Sequence, residues 1–286
     1  MTPNWRRVWL YYGATFVVTH VLSVGYVLSG GSWGSPRSFA IANALMLCPG
    51  AVAVTLQRFV LRQPLLGLLG AKVRPNAWFL RAWLFPPLVM VFALALSLFV
   101  PGARYAPDMG GLPPEMAPFR QQVVAIGISP IVTMLLIGLA FGPTLNAIGG
   151  LGEEIGWRGF LYAELHSLGF WKCSLVTGGL WAAWHVPLFF EGYGDRQYAL
   201  ASGVGFTAFA ILLSPILHLV RSRSGSVVAC AILHGTMSST RLITAAFVRD
   251  AGPWVHASVP IALLAANAVV FVRHQPPTAT RLPLPG

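Results

Sequence analysis

Eight apolar segments, each roughly 20 residues long, constrain the fold of this chain more than any other feature of its sequence. A lipid bilayer is crossed by a helix of about 20 predominantly apolar residues. The approximate limits of the segments are 8–29, 39–60, 78–100, 123–148, 172–190, 199–220, 226–247 and 254–272. We therefore predict an all-α membrane protein, a polytopic bundle of about eight transmembrane helices.

The amino-acid composition excludes the other common classes of protein. Hydrophobic residues make up 56% of the 286 residues and charged residues only 9%, whereas about 25% of the residues in a soluble domain are charged. The apolar content is also too high for a disordered chain. Three cysteines are too few for a disulfide-stapled scaffold. An integral, multi-pass protein that lies mostly in lipid is the class that remains.

The net charge of +11 is explained better by membrane topology than by nucleic-acid binding. The 19 Lys and Arg residues are scattered between apolar segments and form no basic face, so no nucleic-acid partner is predicted. With eight spans, 13 of them, including Arg158 and Arg221, fall on the side of both termini, and five fall on the other side. Cytoplasmic loops carry the excess of Lys and Arg. Both termini are therefore predicted to be cytoplasmic.

The interruptions between the apolar segments predict loops and not domain boundaries. The longest of them, 101–120, has the Pro and Gly density of an irregular surface segment. We predict one transmembrane helical domain over 1–274, with the chemically informative motifs within 152–238, and a flexible C-terminal tail over 275–286.

Two of the eight acidic residues stand side by side at the end of an apolar run. Glu153 and Glu154 occur in GGLGEEIGWRGFLYAEL, where ionised carboxylates cost several kcal/mol unless partners lie close by. Arg158 follows Glu154 by four residues, so on a helix the two share a face at ion-pair spacing, while Glu153 points about 100° away. The pattern is typical both of a functional site and of an interfacial helix with an ordinary salt bridge.

Two of the seven histidines lie deep in predicted spans. His185 lies roughly 20 Å beyond Lys172 along the fifth span, and His234 roughly 16 Å beyond Arg223 along the seventh. Both spans enter from the same side, so the two imidazoles reach similar depth. The other five histidines are expected to be packing residues or to lie at the membrane–water interface. They are His20, His166, His218, His256 and His274. Paired deep imidazoles together with paired carboxylates predict a functional site.

This set of residues offers two ways to activate a water molecule. A carboxylate in an apolar setting is a stronger base than one in water and acts as a general base. Glu153, His185 and His234 are also the ligand types of a catalytic zinc site with an open fourth position. The cofactor is therefore left open: the first route requires none, and the second requires a divalent metal such as zinc. Both routes suit the hydrolysis of a peptide bond.

The order and context of these motifs resemble the CAAX-processing and bacteriocin-processing (CPBP) family of intramembrane proteases. In chain order the three motifs are Glu153-Glu154-x-x-x-Arg158, Trp181-x-x-x-His185, and His234 with Ser238 four positions on. They cover 152–238, and the flanking GWRGFLYAEL and WAAWHVPLFF are also similar to bacterial members of the family. The chain further resembles type II CAAX prenyl endopeptidases. That resemblance implies a location in the bacterial inner membrane.

The resemblance also implies a role for each motif residue. Glu153 would activate the attacking water with help from His185. Glu154 and Arg158 would support the site. His234 would contact the water or the developing oxyanion.

Two positions depart from the pattern of the family. Where this chain has Ser238, the family usually has an asparagine whose amide stabilises the oxyanion. A hydroxyl group has a shorter reach, and the loss of one oxyanion donor costs about 100-fold or more in rate. Trp181 replaces the more familiar phenylalanine and enlarges an aromatic wall. Reduced or altered activity is therefore expected.

Two other functions compete with proteolysis. A membrane scaffold or chaperone without turnover is favoured by Ser238, although such a protein has no evident need for costly buried ionisable residues. A transporter with proton-relaying carboxylates would have two related halves with broken helices, and the sequence has no such symmetry. We therefore predict an intramembrane endopeptidase. Its expected partners are the lipid bilayer and a membrane-associated peptide or membrane-protein substrate, and no oligomeric state is predicted.

Overall fold

The computed structural model describes residues 2–33, 35–70, 75–193, 198–250 and 255–274. The predicted tail, 275–286, lies outside these residues, and so do Lys72, Arg74, Arg196 and Arg281 of the charge count.

Helices account for nearly all of the regular structure in the described ranges. In chain order they are α1 (Trp5–Leu28), α2 (Pro36–Thr55), α3 (Leu66–Leu69), α4 (Ala77–Ser97), α5 (Ala117–Ala125), α6 (Pro130–Phe141), α7 (Ala147–Glu154), α8 (Tyr162–Leu165), α9 (Phe170–Phe190), α10 (Ala199–Ser224), α11 (Val227–Thr240), α12 (Leu242–Ala246) and α13 (Val255–Arg273). π-Helical segments follow α2 at Leu56–Val60, α6 at Gly142–Asn146 and α7 at Ile155–Leu161. Short 3₁₀ turns lie at Pro114–Met116 and His166–Leu168.

Six helical stretches within the described residues are long and apolar enough to cross a membrane. They are Trp5–Leu28, Arg37–Val60, Ala77–Ser97, Pro130–Leu168, Phe170–Phe190 and Ala199–Ser224. The predicted all-α, polytopic class is confirmed. The last two predicted segments are also helical. A break at Arg241 limits α11 to 14 residues, and α13 spans Val255–Arg273.

The limits predicted for the fourth span, 123–148, are wrong. Its first residues belong to α5, and the helical stretch that follows runs continuously for 39 residues, from Pro130 to Leu168. Glu153 and Glu154 therefore lie inside a membrane-length helix and not at its end. Arg158 and Arg221, which the charge count assigned to loops, are buried, with relative exposures of 0% and 6%.

Glycines hold α7 in close contact with α2 on one side and α11 on the other. A Cβ atom added to Gly150 would lie 3.0 Å from the carbonyl oxygen of Ala231 and 3.4 Å from Cβ of His234. A Cβ atom added to Gly152 would lie 2.8 Å from the carbonyl oxygen of Met46 in α2. Small residues allow helix backbones to approach this closely in a membrane. These glycines position α7 instead of ending it.

The segment predicted as an irregular loop, 101–120, contains the first strand of a small ribbon. β1 (Arg104–Tyr105) pairs antiparallel with β2 (Val248–Arg249). The backbone N–H of Ala106 also donates to the carbonyl of Phe247 at 2.9 Å. The ribbon joins this segment to the chain that follows α12.

Candidate active site

Glu154 and Arg158 form a fully buried ion pair, and both side chains have a relative exposure of 0%. Nη1 of Arg158 donates to Oε1 of Glu154 at 3.1 Å, so the pair that the spacing predicted is present. Nη2 of Arg158 donates to Oγ of Ser214 in α10, also at 3.1 Å. A buried charge that loses its partner costs about 3–5 kcal/mol. The pair therefore stabilises the bundle as well as the site.

Glu153 points to a different side of the helix, as its spacing predicted, and its two oxygens have different surroundings. Oε2 accepts hydrogen bonds from the indole N–H of Trp181 at 2.7 Å and from that of Trp157 at 3.3 Å. Oε1 lies 3.9 Å from Nε2 of His234, which is too far for a direct hydrogen bond. Because the two indoles hold Oε2, Oε1 is the oxygen that is available for chemistry.

His234 connects the two carboxylates. Its Nδ1 lies 2.9 Å from Oε1 of Glu154. The Glu154 carboxylate, paired with Arg158, accepts this hydrogen bond, so Nδ1 carries the hydrogen and Nε2 faces Glu153. The imidazole also lies against the Trp181 ring, with 5.5 Å between ring centroids. Glu154 thereby fixes both the orientation and the tautomer of His234.

His185 lies beside Trp181 and not against Glu153. Its Nδ1 lies 3.1 Å from the carbonyl oxygen of Trp181, which accepts the hydrogen bond and leaves Nε2 available. The ring packs against Phe206 and Trp184, with centroid distances of 4.2 and 4.5 Å. Within the described residues, no hydrogen bond joins His185 to Glu153. Trp181 contacts both imidazoles, since its ring lies 5.8 Å from that of His185.

The sequence offered Glu153, His185 and His234 as possible metal ligands. In the part of the chain that the structure describes, no group of three or more His, Cys, Asp or Glu side chains is placed to hold a metal ion. Glu154 engages Nδ1 of His234, and two indoles engage Oε2 of Glu153. Because no group of described side chains is placed to hold a metal ion, we derive no step through a metal.

Ser238 lies one helical turn beyond His234 on α11 and is partly exposed. No described residue makes a hydrogen bond with its hydroxyl group. The departure from the family pattern is therefore located beside His234, on the same face of the helix.

His218 and His20 lie outside the cluster formed by Glu153, Glu154 and His234. His218 is buried, and its Nδ1 lies 3.0 Å from the carbonyl oxygen of Ser214. His20 contacts Glu191 and the backbone of Trp184. The side chain of His256 lies outside the described residues.

Sequence reasoning missed three of the groups that shape the site. Trp157 follows Glu153 by four residues, the same spacing that identified the ion pair, and this signal was available. Trp181 was interpreted as an aromatic wall, although its indole N–H is the nearest donor to Glu153. Ser214 lies 56 residues from Arg158 along the chain, and no local pattern indicates that contact.

Part of this chain is similar to known membrane proteases. Residues 135–240, which contain all six predicted site residues, match the family described as Type II CAAX prenyl endopeptidase Rce1-like. Over 203 residues the chain is 26% identical to CAAX prenyl protease 2 of Methanococcus maripaludis. That match covers 67% of this chain and 65% of the relative, which is just under two thirds of the relative's length. The protein is an integral, multi-pass membrane protein whose residues 135–240 are similar to the CAAX-type intramembrane proteases.

Proposed function

We propose that the protein is an intramembrane endopeptidase in which Glu153 activates a water molecule to hydrolyse a peptide bond. The observation that supports this most strongly is the asymmetry of the Glu153 carboxylate. Oε2 is held by two indole donors, and Oε1 lies 3.9 Å from Nε2 of His234. A gap of that size between two polar atoms suits a single bridging water molecule.

The reaction proceeds by general base catalysis. Glu153 takes a proton from the water as the water oxygen bonds to the carbonyl carbon of the substrate. The carbonyl oxygen becomes a negative oxyanion in the tetrahedral intermediate. Glu153 then returns the proton to the amide nitrogen as the carbon–nitrogen bond breaks, which releases an amine and a carboxyl group and restores the carboxylate.

The neighbouring residues orient the reacting groups. Glu154 accepts the hydrogen bond from Nδ1 of His234, so the lone pair of Nε2 is directed at the water and accepts a hydrogen bond from it. Arg158 compensates the charge of Glu154. His185 assists from the other side of Trp181 with its available Nε2, and the Ser238 hydroxyl is a weak oxyanion donor.

The burial of this site predicts the class of substrate. Glu153 has a relative exposure of 1% and lies in a helical stretch of membrane-spanning length. A peptide that reaches it has to enter the membrane region, so the substrate is a membrane-associated or lipophilic peptide. We further propose the bacterial inner membrane as the location, with both termini in the cytoplasm.

The test compares two glutamate-to-glutamine variants in detergent, with a peptide library and mass spectrometry of the products. Glu153→Gln should fold normally and lose about 100- to 10,000-fold in cleavage rate, because the general base is removed. The matched control is Glu164→Gln in α8, which changes a glutamate that contacts Arg7. It should cleave the same bonds at the wild-type rate.

Equal cleavage by wild type and Glu153→Gln would remove Glu153 from the mechanism. A folded wild-type protein that binds peptides and cleaves none would instead support the competing scaffold function, which the serine at position 238 favours.

A further inference from the structure

Asn146 lies on the same face of the helix as Glu153. It is the last residue of the π-helical segment Gly142–Asn146 and precedes Glu153 by seven residues. Seven residues of α-helix make about two turns and about 10 Å of rise, so the two side chains project in similar directions. The positions between them on this face are Gly149 and Gly150. No side chain from those positions separates the amide of Asn146 from the site.

The amide of Asn146 is anchored to α11 through one donor. Its Nδ2 donates to Oγ of Ser239 at 2.5 Å, and Oγ of Ser239 donates to the carbonyl of Gly235 at 2.9 Å. An asparagine amide has two N–H donors. Ser239 uses one of them, and no other described residue makes a hydrogen bond with the side chain of Asn146. The amide is therefore oriented and keeps one donor available.

The anchor of this donor lies one residue beyond the position at which the resemblance places an asparagine. Ser239 directly follows Ser238, the position at which the resemblance places an oxyanion-stabilising asparagine. Across the contact between α7 and α11, Gly150 lies against His234, and Asn146 is one turn before Gly150. Asn146 and His234 thus both lie at this contact, and Ser238 is one turn beyond His234 on α11.

We infer that Asn146 is a further catalytic residue, whose second amide N–H donates a hydrogen bond to the substrate carbonyl oxygen as that oxygen becomes negative. The inference rests on the proposed function. An amide approaching from the α7 side reaches the oxyanion that the shorter Ser238 hydroxyl contacts weakly. Ser239 acts as a positioning residue that orients this amide.

The experiment measures kcat and KM separately for four variants. Asn146→Ala should lower kcat about 100-fold, the usual cost of one oxyanion donor, with KM nearly unchanged. Ser239→Ala should lower kcat by a smaller factor, because the amide remains and only its orientation is lost. Thr144→Ala changes an exposed residue of the same π-helical segment and should retain wild-type kcat.

The fourth variant relocates the amide. Asn146→Ala combined with Ser238→Asn should recover at least tenfold of the kcat lost in Asn146→Ala, because position 238 then supplies the donor. A purely structural contact between Asn146 and Ser239 predicts a different result. Both alanine variants would then lower the thermal midpoint, the folded fraction would retain wild-type kcat, and Ser238→Asn would rescue nothing.

The outcomes separate the two proposals. Cleavage by wild type with unchanged kcat in Asn146→Ala contradicts this inference alone, and so does the absence of rescue by Ser238→Asn. No cleavage by wild-type protein contradicts the proposed function and this inference with it.

Discussion

Two carboxylates in this molecule each contact two basic side chains, and they differ in burial. Glu154 contacts Arg158 and His234, and its side chain is fully buried. Asp108, near the β ribbon, contacts Arg120 and Arg249, and its side chain is 42% exposed. Exposed ion pairs contribute about 0–1 kcal/mol, whereas breaking a buried pair costs about 3–5 kcal/mol. Burial therefore makes the ion pair beside Glu153 a much stronger constraint on the structure than the exposed pairs of Asp108.

The largest effect is expected when the buried cluster loses its arginine. Arg158→Met should lower the stability by about 3–5 kcal/mol, because Glu154 is left as a buried charge without its guanidinium partner. The measurement is the thermal midpoint in detergent. The double variant Arg158→Met with Glu154→Gln removes that charge and should recover part of the loss. A thermal midpoint for Arg158→Met equal to that of wild type would show that the buried cluster contributes no more to stability than the exposed one.

A smaller effect is expected for the indole donor to Glu153. Trp181→Phe keeps an aromatic ring but removes the 2.7 Å hydrogen bond to Oε2, a bond to a charged group worth about 1.5–3 kcal/mol. Cleavage should fall about tenfold or more, because the carboxylate is no longer held.

The matched control lies on the same helix. Trp184→Phe removes an indole hydrogen bond to the neutral Thr19 hydroxyl and should cost only about 1 kcal/mol of stability. The cleavage rate is measured for both variants. An equal loss in the two would contradict a specific role for the Trp181 indole.

The smallest effect is expected at the exposed cluster. Asp108→Asn should change the stability by at most about 1 kcal/mol, since solvent already screens its contacts with Arg120 and Arg249. The thermal midpoint and the cleavage rate of Asp108→Asn should both match those of wild type. A loss of stability as large as that of Arg158→Met would contradict the comparison between the two clusters.

The parts of this structure that were predictable from sequence depend on local spacing. Apolar segment length predicted the helices, and the four-residue interval predicted the bond between Glu154 and Arg158. The fourth span was predicted to end at 148, before the glycines that precede Glu153, whereas the helical stretch continues through these glycines to Leu168. They stay helical because α2 and α11 pack against their backbone, and such packing has no signature in the segment itself.

The parts that were not predictable depend on contacts between distant segments. The sequence placed His185 and His234 at similar depth, and that reasoning left open which of them meets Glu153. Only His234 does, because Trp181 projects toward the carboxylate one turn before His185. Asn146 was overlooked because its anchor, Ser239, lies 93 residues away along the chain.

The central claim is that the adjacent glutamates have different tasks: Glu154 organises the site, and Glu153 transfers the proton. The most direct test is cleavage of an identified substrate peptide in ¹⁸O-labelled water by wild type and by Glu153→Gln, with thermal midpoints measured in parallel. The account predicts one ¹⁸O atom in the new carboxyl terminus of the wild-type product. It also predicts almost no product from a Glu153→Gln variant that melts like wild type. Labelled product formed by Glu153→Gln at the wild-type rate would contradict it.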